Sequence, residues 1–343
     1  MQNNLTRRDF LKLSGLSTAA LALRPMPPGR GSRPIGLARV ATSYVGLYTE
    51  PSFSAKRLVR YRRDALITLL ARERSDNGPR HNPVWYRIGD GYVHSGGLQL
   101  VRWEVQSPRE DIPEGGALFE VSVPYTRSYV EPDPTSRRLY RLYYQSTAWV
   151  NALVRDSLGR CWYRVYSRRL GVHYHVRAEH LRQIPPEEYS PLSPDVPLEA
   201  KRIEVSLASQ EMMAYEHNRL VFRTRISSGI PDKRPGINGV PLATPEGVFA
   251  ITKKTPVRHM GDGHLTDDLD AYELPGVPWV AFFHKTGVAF HGTYWHTDFG
   301  RPKSHGCVNM QTDEARWLFR WTMPTLDPGD LLRTGLGTRV FVY

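Results

Sequence analysis

The sequence predicts a mainly β protein: small β-barrel modules in the N-terminal half, followed by a β-rich domain with one main helix. Three observations predict it. Between residues 35 and 190, short runs of alternating apolar and polar residues are separated by Gly, Pro and Ser/Asn/Asp clusters, the pattern of half-buried strands joined by turns. The tripeptide Trp-Tyr-Arg occurs at Trp85 and again at Trp162, each time after a Tyr-x-x-Pro stretch (Tyr48 to Pro51, Tyr129 to Pro132) and before a further apolar strand. Self-similarity of this kind marks a repeated unit. From Lys201 the β runs lengthen, and only Thr312 to Trp321 reads as a good helix, with Thr312 expected as N-cap and Asp313 and Glu314 facing the positive end of the dipole.

The chain has 343 residues and a net charge of +12, enough length for two or three domains with real cores. Two cysteines, Cys161 and Cys307, exclude a disulfide framework and a four-thiolate zinc site. The charge is +5 over residues 1–33, +5 over 34–200 and +2 over 201–343. Much of it therefore sits in the first tenth of the chain, and the mild, dispersed remainder is a poor footprint for nucleic acid.

Residues 1–33 are expected to be an address and a Pro/Gly-rich linker. Thr6-Arg7-Arg8-Asp9-Phe10-Leu11-Lys12 resembles a twin-arginine export signal, Leu11 to Leu23 is an apolar stretch too short to span a bilayer, and Ala20-Leu21-Ala22 offers a cleavage site. The resemblance implies recognition by the twin-arginine export machinery and a protein released outside the cytoplasm, in the cell wall or periplasm. No other segment is long and apolar enough to span a membrane. Residues 35–104 and 117–184 are read as the two modules, an arrangement that resembles tandem bacterial SH3-like domains, a family often fused to cell-wall enzymes. Trp85, Trp162 and Cys161 are expected in module cores, and His173 and His175 together on the exposed face of a strand. The turn-rich stretch 185–200 is read as a linker.

The chemistry concentrates in residues 201–343. Three histidines and one cysteine fall within 17 residues: His291-Gly292-Thr293-Tyr294-Trp295-His296, then Ser304-His305-Gly306-Cys307-Val308-Asn309. A thiol is a nucleophile only as thiolate, and an imidazole that takes its proton can hold the ion pair. His291, arriving on a separate strand, is placed to be that base, while backbone N–H groups around Gly306 and Cys307 can hold an oxyanion. His291, His296, His305 and Cys307 are all metal-ligand types, but their spacing matches no zinc pattern, so neither metal nor cofactor is expected. Asp298-Phe299-Gly300 is a kinase motif by letters alone, without the motifs that accompany it in kinases.

Cys307 and its surroundings are similar to the signature of the L,D-transpeptidase catalytic domain, the YkuD-like family. Thr244-Pro245-x-Gly247 and Ser227-Ser228-Gly229 resemble the strand and turn that precede the signature in that family. The resemblance implies that Cys307 attacks a peptidoglycan tetrapeptide stem, releasing D-Ala, and that the resulting thioester passes its acyl group to an amine. It implies proton transfer by His291, support of the cysteine loop by Ser304, His305 and Gly306, and substrate contacts from Tyr294, Trp295 and Asn309. Stem peptides are the expected partners, and the N-terminal modules are expected to touch wall polymer. A cysteine carboxypeptidase that hydrolyses the stem and a non-catalytic wall-binding protein are the alternatives.

Overall fold

The computed structural model describes residues 33–232 and 242–343; the export signal predicted within residues 1–33 lies almost wholly outside them. The chain is mainly β, as the sequence predicts. Eight strands build the first module: β1 Gly36–Val40, β2 Tyr44–Tyr48, β3 Arg57–Arg62, β4 Leu66–Leu69, β5 Ala71–Arg74, β6 Val84–Ile88, β7 Gly91–His94 and β8 Leu98–Val101. Seven build the second: β9 Ala117–Val121, β10 Tyr125–Tyr129, β11 Arg138–Tyr143, β12 Thr147–Arg155, β13 Cys161–Ser167, β14 Val172–Arg177 and β15 Leu181–Gln183.

The repeat seen in the sequence is a repeat of topology. Strands pair in the order β3-β2-β7-β6-β5 and β4-β1-β8 in the first module, and β11-β10-β14-β13-β12-β9-β15 in the second. The two orders coincide if β4 and β5 are the two halves of one strand, whole in β12 and interrupted at the buried Leu70. The signature residues meet in the same way in both. Tyr48 stands edge-on to Trp85 with ring centroids 5.8 Å apart, and Tyr129 stands edge-on to Trp162 at 5.5 Å. This is the T-shaped geometry that ring quadrupoles favour. Both tryptophans are fully buried, as expected. His175 departs from expectation: it is buried and bonds the Val130 carbonyl at 2.8 Å, while His173 alone stays exposed on the same strand. Cys161 packs only partly against its module core, with Arg155 Nη1 3.0 Å from its sulfur.

The C-terminal half contributes β16 Lys201–Ser206, β17 Glu211–Glu216, β18 Arg219–Arg225, β19 Gly247–Ala250, β20 Lys253–Gly261, β21 Glu273–Phe282, β22 Ala289–Gly292, β23 Val308–Met310, helix α1 Thr312–Trp321, β24 Arg333–Thr334 and β25 Arg339–Val342. They form two five-stranded sheets, β18-β17-β16-β25-β19 and β23-β22-β21-β20-β24. The hairpin between β17 and β18 turns on His217 and Asn218, both at positive φ (46° and 64°), the geometry of the tight hairpin turn that Asn favours. Helix α1 has the predicted span, but its N-cap is Gln311; Thr312 is the first helical residue and is buried. Leu318, Phe319 and Trp321 of α1 close over Ile203, Met212, Trp279, Phe290 and Val308 to make the largest core cluster.

That cluster does not stop at residue 201. Leu118 and Trp149 of the second module, together with Ile184 and Tyr189, belong to it. The predicted linker is thus a packed element: Arg320 Nε donates to the Ser190 carbonyl at 2.8 Å, and the buried Lys201 ammonium donates to the carbonyls of Ser193 (2.8 Å) and Trp321 (3.0 Å). The first module keeps a core of its own and joins the rest through polar contacts. Gln99 Nε2 donates to the Tyr144 carbonyl, Thr297 Oγ1 donates to Ser95 and Leu98 carbonyls, and Arg39 Nη2 donates to the Tyr294 carbonyl at 2.7 Å.

Candidate active site

Strands β22 and β23 run parallel, with Phe290 opposite Val308, His291 opposite Asn309 and Gly292 opposite Met310. Because side chains alternate faces along a strand, this register sorts them cleanly. Phe290, Val308 and Met310 face the large core. His291 and Asn309 face the other way, and Cys307, one residue before the paired stretch, shares their side and packs with Val277, Val280 and Ala289. His291 and Cys307 are therefore diagonal neighbours on one face, and both line a cavity of about 380 Å³.

The loop that delivers Cys307 is held by Ser227-Ser228-Gly229. Ser227 and Asn309 exchange backbone hydrogen bonds at 3.0 and 2.9 Å, and the Ser228 carbonyl accepts from the amides of Lys303 (2.9 Å) and Ser304 (3.0 Å). Thr244 Oγ1 links the pieces, donating to the Gly306 carbonyl and accepting from the Gly229 amide, both at 2.8 Å. A side chain at Gly229 would put its Cβ 2.3 Å from the Leu242 carbonyl oxygen and 2.8 Å from the Gly306 Cα, so this position has no room for one. Gly306 itself sits at φ +100°, which an L side chain rarely adopts. Ser304 Oγ donates to the Cys307 carbonyl, closing the turn.

Burial governs the two reactive groups. It pushes the Cys307 thiol up to about 11, against a hydrogen bond with the Ala289 backbone that draws it down. The same cause pushes the His291 imidazole down to about 4, although Nδ1–H donates to the Gly292 carbonyl at 3.0 Å. Burial thus disfavours the charged form of each group and works against the ion pair expected from the sequence. With Nδ1 holding its hydrogen on Gly292, the lone pair of Nε2 is free to accept a proton.

The other predicted residues divide. Tyr294 lines the cavity with its ring, but it is buried, its hydroxyl donates to the Pro275 carbonyl at 2.8 Å and its carbonyl receives Arg39, so it builds the wall. Trp295 is partly exposed with its ring 5.7 Å from that of His291. His305 is exposed at the rim, with Tyr272 at 5.2 Å. Asn309 Nδ2 lies 3.1 Å from His296 Nε2, while the Asp298 amide donates to His296 Nδ1 at 3.2 Å. A neutral imidazole that accepts at Nδ1 carries its hydrogen at Nε2, so the pair is satisfied when the Asn309 amide turns its oxygen, otherwise unpartnered, toward His296. His296 thus orients Asn309.

Sequence reasoning missed the opposite wall of the cavity. Arg39, Arg63, Arg141 and Tyr143 of the N-terminal modules line it together with residues 266–275. Arg39 is fully buried, 2.8 Å from Asp64 Oδ1, and lies over the Tyr143 ring at 4.0 Å; Arg141 takes the other oxygen of Asp64. Asp298 was also missed. Burial opposes its charge, but Lys303, His81 and Arg301 surround it and hold its carboxyl below the usual range.

With this geometry in view, residues 200–342 match the YkuD family, the L,D-transpeptidase catalytic domain. Similar solved structures include the catalytic domain of an Enterococcus faecium L,D-transpeptidase, 28% identical over 42% of this chain and 96% of that one, with a TM-score of 0.30. A longer structure of an L,D-transpeptidase from the same organism is 26% identical over 43% of this chain and 50% of that one, with a TM-score of 0.31. L,D-transpeptidase 3 from Mycobacterium tuberculosis, in complex with a faropenem-derived adduct, is 17% identical over 50% and 74% of the two chains, with a TM-score of 0.31. The match spans about half the length of the longer E. faecium protein. No curated protein matches the chain.

Proposed function

We propose that the protein is an exported peptidoglycan L,D-transpeptidase in which Cys307 is the nucleophile and His291 the proton carrier. The observation that supports the reading is the shared face of β22 and β23: His291 and Cys307 both line one cavity there, within the segment that matches the catalytic domain. As the Cys307 sulfur attacks the carbonyl carbon between the third stem residue and terminal D-Ala, the thiol proton moves to His291 Nε2. The C–N bond breaks, that proton leaves with the amine of D-Ala, and a thioester remains. An acceptor amine then attacks the thioester, gives its proton to His291, and the thiolate recovers it. Backbone N–H groups around Gly306 and Cys307 stabilise the oxyanion in both halves, and Ser304, His305 and Asn309 hold loop and substrate. The arginine signal in residues 1–33 directs export, and the N-terminal modules, read as SH3-like, keep the enzyme at the wall.

Because thiol and imidazole are both neutral at rest, the proton moves during attack and not before it. The pH profile of kcat/KM follows: activity falls as pH drops through the His291 value of about 4, and stays flat through pH 9 because the thiol titrates near 11. Incubation of the protein with a disaccharide-tetrapeptide and chromatography of the products is the test. Cross-linked dimer with released D-Ala is expected; free tripeptide alone would replace this reading by hydrolysis, and no reaction would remove it.

A further inference from the structure

A second cavity, of about 370 Å³, opens between the first module and the segment that leads into the cysteine loop. One side is aromatic. Tyr44 and Phe53 are each 51% exposed, an unusual state for large rings on a small module. Phe53 is nevertheless fixed in place: Trp85 (4.9 Å) and His94 (5.0 Å) pack against it, and Tyr48 stands edge-on at 5.7 Å. The Arg60 guanidinium covers the Tyr44 ring at 4.7 Å. The other side is polar and carries excess positive charge, with Arg301 and Lys303 both paired to the single carboxylate of Asp298.

This groove adjoins the catalytic cavity: Lys303 lines both. Lys303 is four residues before Cys307, which limits the separation of their Cα atoms to about 14 Å. A stem peptide whose third carbonyl lies at Cys307 reaches back through three residues, roughly 10 Å when extended. Its N-terminus is attached to a sugar of the glycan strand. We propose that the groove is the subsite for this sugar-bearing end, with Tyr44 and Phe53 as platforms for the apolar face of the sugar ring and Arg301 and Lys303 facing the carboxylate of the adjoining peptide. The proposal rests on the transpeptidase reading and assigns to the first module a part in choosing substrate.

The test compares two donors, a disaccharide-tetrapeptide and the same tetrapeptide without sugar, in the full chain with Tyr44→Ala/Phe53→Ala. The expected result is a KM about tenfold higher for the sugar-bearing donor, an unchanged kcat, and unchanged kinetics with the free peptide. Equal effects on both donors, or none on either, would overturn the subsite. Phe53→Leu, which keeps the bulk and removes the stacking face, is expected to reproduce the sugar-specific loss if the double variant folds poorly. If neither donor reacts, the transpeptidase reading fails separately. Calorimetry of the disaccharide-peptide on Cys307→Ala then decides the groove: binding lost with Tyr44→Ala/Phe53→Ala supports it, and absence of binding, or binding indifferent to that change, overturns it.

Discussion

The two N-terminal modules share a strand order yet are joined to the catalytic half by different physics. In the second, Leu118 and Trp149 enter the same apolar cluster as Trp279 and Phe319. In the first, the apolar residues stay within the module and hydrogen bonds make the junction. One pair of equivalent positions shows the contrast. Arg39 faces Gln99 between β1 and β8, and Glu120 faces Arg182 between β9 and β15, so the cation changes strand. The Arg39 cation is fully buried and reaches the Tyr294 carbonyl at the cavity wall. The Arg182 cation is partly exposed and bridges Glu120 to Glu188 in the segment before the catalytic half, where Arg316 of α1 also reaches Glu188. The same scaffold position thus braces the active site in one module and the chain connection in the other.

The comparison can be broken in order of effect. Trp149→Ala opens a hole in the shared cluster and is expected to cost about 3–5 kcal/mol, read by denaturant unfolding. It should lower the midpoint for the catalytic half as well, because the cluster is common to both. A transition confined to residues 117–184 would show that the second module is independent. Arg39→Met leaves the buried Asp64 with Arg141 as its remaining cation partner and frees the Tyr294 carbonyl, for an expected loss of about 3 kcal/mol. Its distinctive signature is a fall in kcat/KM larger than for any surface arginine, since the cavity wall loses its brace; full activity would make the first module a spectator. Arg182→Met breaks a half-exposed network and is expected to cost about 1 kcal/mol, leaving activity unchanged. If it matched Arg39→Met in either measurement, the distinction between the modules would fail.

What the sequence discloses and what it hides follow from distance along the chain. The repeat was legible because Trp-Tyr-Arg and the Tyr-x-x-Pro before it are local patterns, and the tryptophans fall where such patterns bury them. The cysteine loop was legible for the same reason, and strand alternation alone places His291 beside Cys307 once β22 and β23 are paired. The bond from Arg39 to Tyr294 joins residues 255 apart in sequence, and no periodicity announces it. The burial that opposes the expected thiolate-imidazolium pair was hidden, because spacing shows proximity and not burial, and burial here moves both groups toward neutrality. His175 failed similarly: alternation gave its face correctly, but the neighbour that covers it, Val130, comes from another loop. Asp298 was hidden by resemblance to an unrelated three-letter motif, although its cluster includes Arg301 and Lys303, both within five residues.

The most direct test of the account is intact-protein mass spectrometry of the full chain mixed with a tetrapeptide-stem donor and no acceptor, followed by peptide mapping. The expected result is an adduct equal to the donor minus D-Ala, located on Cys307 and missing from Cys307→Ser under conditions where Cys161→Ser still forms it. An adduct that survives Cys307→Ser, or maps to Cys161, would contradict it.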